Sequence, residues 1–137
     1  MSFTALIIMG VLLSIGLLAV VLRLSSRSGI YLLGFSLIAA ALIYVGFAVV
    51  GLANGSAGSS WIAFEIGGLV FYGSFAYLGI RISPWYLAAG WALHVIWDTT
   101  AHTGAAFVPA FYPGVCIGFD AAVAVFTVYL MLRTNRN

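Results

Sequence analysis

The stretch PWYLAAGWALHVIWDTTAHT, residues 84–103, decides how the chain folds. It is long and apolar enough to cross a hydrocarbon core about 30 Å thick, which takes roughly 20 residues. Yet it carries His94, Asp98 and His102 at steps of four. Steps of four keep side chains on nearly one stripe of an α-helix, about 6 Å apart along the axis. Asp98 can therefore pair with either histidine, while the two histidines, about 12 Å apart, would be stretched to share one metal ion. Charged groups inside a bilayer cost at least about 2.5–3.5 kcal/mol each, so an intramembrane His-Asp-His stripe points to function.

Outward from this helix the chain is uniformly apolar. Of its 137 residues 64% are hydrophobic and 6% charged, against about 25% charged in soluble domains. Four further runs match a membrane crossing, at about 3–22, 30–53, 61–80 and 113–132. With 84–103 they predict an all-α, polytopic membrane protein of five transmembrane helices in one domain, 1–137. The breaks RLSSRSG (23–29), NGSAGSS (54–60), RISP (81–84) and GAAFVPAFYP (104–113) have turn chemistry, and none is long enough for a linker.

Arginine placement gives the orientation. Arg23 and Arg27 fall between the first two helices, Arg81 between the third and fourth, and Arg133 and Arg136 after the fifth. Five crossings put all of them on one side, and the positive-inside rule makes that side cytoplasmic, with the N-terminus outside. The first run has no cation before it and no small-x-small site after it, which predicts a retained helix rather than a signal peptide. Trp61, Trp85, Tyr86 and Tyr112 sit at helix starts, where aromatic residues favour the interfaces.

Composition also excludes mechanisms. There is no lysine, so no Schiff base to retinal or pyridoxal phosphate can form. One cysteine, Cys116, rules out an intramolecular disulfide or a thiolate-rich zinc site; packing is its commoner use, a ligand role the rarer. The scarcity of charge excludes a nucleic-acid surface.

The other acids are Glu65 in the third helix and Asp120 in the fifth. Helical rise puts Glu65, Asp98 and Asp120 at similar depth in the outer half of the bilayer, with every arginine at the other end. Their charge must be balanced by carboxyl protonation, by imidazolium or by a bound cation. Carboxylates and imidazoles on facing helices suit zinc, iron or manganese, with His94, Asp98, His102, Asp120 and Glu65 as candidate ligands. For any one of these residues, a plain helix–helix hydrogen bond is the competing reading. Gly67, Gly68, Gly73, Gly79 and the Gly114-x-x-x-Gly118 step predict close helix packing, the last also a contact in a homo-oligomer. Segment 104–113 reads equally as a re-entrant lid or a stiff hairpin.

The run GWALHVIWDTTAH (90–102), followed by a proline loop and Cys116-x-x-x-Asp120, resembles the pattern of a family of small, uncharacterised bacterial integral membrane proteins. In that pattern Trp-x-Leu-His-x-x-Trp-Asp precedes a histidine pair, a proline loop and Cys-x-x-x-Asp, with a glutamate near a tryptophan upstream, here Trp61 and Glu65. The similarity covers residues 61–137 and departs at the histidine pair, which is Ala101-His102 here. It implies the same clustered site and a multi-pass protein of the bacterial inner membrane, and carries no activity with it.

Three functions fit. In the first, an intramembrane enzyme uses Asp98, His94 and Glu65 as catalytic groups on a lipid or isoprenoid substrate, with one or two metal ions or by metal-free acid–base chemistry, as in an isomerase or cyclase. In the second, the Asp, Glu and His groups relay protons or cations. In the third, the chain binds a pigment, quinone or haem within a larger membrane complex.

Overall fold

In a computed structural model, residues 1–134 are described. The described residues form five α-helices, α1 (Phe3–Arg23), α2 (Ser26–Asn54), α3 (Ser59–Arg81), α4 (Trp85–Trp97) and α5 (Tyr112–Thr134), with a π-helical turn, Asp98–His102, continuing α4. Four of them, α1, α2, α3 and α5, are long and apolar enough to cross a membrane. The α-helical part of α4 is 13 residues; the π turn extends the helical run to His102.

Local chemistry sets the ends. Ser25 caps α2, its hydroxyl accepting from the Ser28 amide. Gly55 closes α2 in the left-handed region at φ 80° and donates to carbonyls of its last turn. Asn54 Oδ1 then accepts from the amide and hydroxyl of Ser56, so four residues suffice to reverse the chain. Pro84 precedes α4, where a missing amide costs nothing.

These short connections alternate helix direction and bring Arg23, Arg27, Arg81 and Arg133 to one end of the bundle. Arg136 lies outside the described residues. Beneath the arginine end, Leu33, Leu37, Ala76, Leu87, Trp91 and Val123 form a buried apolar core. At the opposite end Tyr44, Ala48, Phe107 and Val108 form a smaller one.

The glycines divide. A Cβ on Gly118 would lie 2.0 Å from the Ile7 carbonyl oxygen, and one on Gly10 would lie 1.9 Å from that of Val115. Gly114 and Gly118 thus face α1 within the chain, which takes the place of the homo-oligomer contact expected of them. In α3, Gly68 lies against Trp97 and Gly79 against Leu87, whereas a Cβ added at Gly67 or Gly73 would meet nothing within 4 Å.

Candidate metal centre

The π turn is the local event that shapes the site. Thr99 and Thr100 donate their hydroxyls to the carbonyls of Val95 and Ile96, four residues back, a pairing that loosens a helix. The Thr103 amide then reaches past the α-helical position to the Asp98 carbonyl, and Gly104, at φ 85°, ends the run. The widened turn changes the α-helical offset of His102 from Asp98, and His102 meets α3 through Glu65. The sequence expectation of one unbroken α-helix over 84–103 is corrected here. The cause is a pair of β-branched, back-bonding threonines ahead of a glycine.

Glu65, His94, Asp98, His102 and Asp120 are all buried, none more than 1% exposed. His94 Nδ1 lies 2.7 Å from Asp120 Oδ2 and 3.5 Å from Asp98 Oδ2. His102 Nε2 lies 2.7 Å from Glu65 Oε1, and its Nδ1 is 3.8 Å from Asp98 Oδ1. The order is therefore Glu65–His102–Asp98–His94–Asp120, with Asp98 in the middle. An ionised carboxylate only accepts, so where the outer carboxylates are ionised each imidazole donates its proton to its own. Asp98, at the centre, receives no hydrogen bond on either oxygen.

His94 Nε2, His102 Nδ1, Trp91 Nε1 and the Tyr44 hydroxyl are also buried without a partner. Buried polar groups are nearly always paired; Trp91 belongs to the apolar core, but the atoms of His94, His102 and Tyr44 gather around one carboxylate and mark a place built for something else. Three acids face two histidines, so with all three carboxyls ionised even two imidazolium ions would leave one negative charge uncompensated. The nearest arginines on the same helices, Arg81 and Arg133, are 16 and 13 residues from Glu65 and Asp120, about 24 and 20 Å by helical rise.

His94, Asp98 and Asp120 each offer a ligand atom, all within 4.8 Å of one another, and this buried group could hold a metal ion. Glu65 and His102 pair beside it, where Glu65 fixes the orientation of a ring whose other nitrogen faces Asp98. Carboxylates orient metal-binding histidines in this way. Cys116 is partly buried and free, with its thiol near Tyr44 and Tyr112.

Aromatic rings wall the cluster. Tyr44, from α2, stacks on His102 with centroids 3.7 Å apart and planes 15° apart, and its hydroxyl lies beside Asp98 without good hydrogen-bond geometry. Tyr72 meets His94 edge-on at 4.7 Å and is anchored by donating to the Leu93 carbonyl. Trp61, expected at the interface, is half-buried and packs against Phe107, centroids 4.8 Å apart. The loop after the π turn folds inward, with Phe107 and Val108 buried and Phe107 6.4 Å from the His102 ring. Sequence reasoning missed Tyr44 and Tyr72, because a tyrosine in an apolar helix carries no signal of what its ring will cover.

Comparisons with family models, with curated proteins and with solved structures find no match to this chain, so the site's own geometry carries the functional reading.

Proposed function

We propose that this chain is a five-crossing protein of the bacterial inner membrane that binds a divalent transition metal, zinc, iron or manganese, in its outer half and uses it on a hydrophobic substrate. The observation that carries this reading is Asp98, wholly buried between two imidazoles with both carboxylate oxygens unpartnered. A cation bound there would supply the missing charge and act as a Lewis acid or activate water. His94, Asp98 and Asp120 would hold it, while Glu65 would keep His102 turned toward Asp98. Four long apolar helices and the gathering of Arg23, Arg27, Arg81 and Arg133 at one end support the membrane frame, with the arginine end cytoplasmic. His94, Asp98, His102 and Asp120, motif residues shared with the small bacterial membrane proteins, lie in one site, which supports placing the chain among them.

The test is metal-loaded protein reconstituted in liposomes of total bacterial lipid, followed by mass spectrometry of the lipid extract. A lipid species consumed or formed only with metal, and not by Asp98→Asn, is the expected outcome. One observation favours a second reading: in the series Glu65–His102–Asp98–His94–Asp120 neighbouring groups lie within 4 Å, and a proton path would need only the two gaps at Asp98, 3.5 and 3.8 Å, to close. Proton flux that depends on Asp98, with no change in any lipid, would select the relay and overturn the enzyme.

A further inference from the structure

The cluster is sealed, and the ring walls differ in what lies behind them. Behind Tyr72 and Trp97 is a groove between α3 and α4 of about 430 Å³, lined also by Gly67, Gly68, Phe71 and Thr100. Its lining is almost wholly apolar, since the Thr100 hydroxyl is turned back to the Ile96 carbonyl and that of Tyr72 to Leu93. Two other grooves along the helices, at Trp85, Ala88 and Val125 and at Val11, Ala122 and Tyr129, are lined by none of the rings described above as packing on His94 or His102. Here one aromatic layer separates groove from site. Tyr72 is 4.7 Å from His94 and Trp97 is 6.2 Å from His102, centroid to centroid.

We infer that this groove is the lateral substrate site, and that it takes a single hydrocarbon chain, acyl or isoprenoid, rather than a lipid headgroup. The inference rests on the hydrophobic substrate proposed above and names where that substrate lies. Depth excludes a headgroup: Gly67 and Phe71 are 8 and 12 residues into α3 from Ser59, about 12–18 Å below that helix end. That is chain depth in a hydrocarbon half-core of about 15 Å. Two glycines in succession make the room. Gly67 leaves its side of the groove open, with nothing within 4 Å of a Cβ, and Gly68 lets Trp97 lie against the α3 backbone, where a Cβ would sit 2.9 Å from the ring. Tyr72 is pinned by its hydrogen bond, whereas Trp97 is held by ring packing, stacked on Phe64 at 4.4 Å. Trp97 is therefore the movable part of the wall, and its displacement would join the groove to His102 and Asp98.

The test uses the full chain in lipid nanodiscs and a long-chain alcohol bearing an alkyl diazirine, with labelled residues mapped by mass spectrometry. Labelling within 67–71 and 93–100 is expected to saturate at low probe fraction and to fall to background under excess unlabelled competitor. Polyprenol, fatty alcohol and diacyl phospholipid as competitors tell the chain's sources apart. Gly67→Phe, at a position with free space, is expected to lose the saturable labelling while keeping the parent's unfolding temperature and metal content. Should it fold poorly, Gly67→Leu replaces it, and competition on the unsubstituted protein decides alone. Labelling that rises linearly with probe and resists every competitor would show ordinary boundary lipid and overturn the inference. Metal measured on the same samples separates the claims: saturable labelling without metal keeps the groove and removes the metal reading, and metal with linear labelling does the reverse.

Discussion

Toward the arginine end of the bundle, helices meet through apolar contacts, with one buried polar atom, Trp91 Nε1, left unpaired. Leu87 fills the space over Gly79 and Gly34, and Leu37 lies against Gly90. Toward the opposite end the same helices are packed as tightly, but around groups that do not satisfy one another: Asp98, His94, His102 and the Tyr44 hydroxyl are buried with polar atoms unpaired. The first region is filled by its own apolar side chains. The second becomes complete only with something added, and such an arrangement, which costs stability, is kept where it serves function.

Substitutions that exchange these properties should show it. The largest effect is expected from Gly79→Leu, whose Cβ would stand 2.4 Å from Leu87 Cγ and 3.1 Å from the Leu87 amide nitrogen. Overpacking of this kind costs about 1–3 kcal/mol or more, read as a lower unfolding temperature in detergent. Next is the response to metal. At a free concentration near a hundred times its Kd, a ligand stabilises the folded state by about 2.7 kcal/mol. The parent should gain this from its preferred ion and Asp98→Asn should gain nothing. Without metal, Asp98→Asn should unfold at the parent's temperature or above it, because a buried carboxyl whose oxygens accept no hydrogen bond has been replaced by a neutral amide.

A smaller effect separates Glu65→Ala from Glu65→Gln. The alanine leaves His102 Nε2 without its acceptor, a loss of about 1–3 kcal/mol, and the glutamine keeps an acceptor and should lose less. Smallest is Gly67→Ala, which meets nothing within 4 Å and should raise stability by about 0.5–1 kcal/mol through helix propensity alone. A destabilised Gly67→Ala would mean that the groove is narrower than described.

The sequence made the helices legible because apolar length and turn chemistry are local, and the structure keeps each of them within a few residues. The apolar runs of α1, α2, α3 and α5 carry that signal plainly. The convergence of Glu65, His94, Asp98, His102 and Asp120 was legible too, since helical rise and alternating direction fix depth. The partition within the cluster was not. Which carboxylate meets which imidazole depends on the π turn at Asp98–His102, a property of two threonine hydroxyls that hydropathy does not register. Tyr44 reaches His102 across 58 positions of sequence, and no periodicity in α2 announces it. Glycine spacing gave the close packing at Gly68, Gly79, Gly114 and Gly118 but not the neighbour. A small-residue step says that something comes close, and the neighbour at Gly118 is α1, while a Cβ at Gly67 would meet nothing within 4 Å.

Elemental analysis of matched preparations, parent and Asp98→Asn, purified without chelator and normalised to folded protein, bears most directly on the unpartnered carboxylate. Near-stoichiometric zinc, iron or manganese in the parent and its loss from Asp98→Asn are expected. A parent free of transition metal after loading, or an Asp98→Asn protein retaining the full complement, would contradict the assignment of the buried cluster as a metal site.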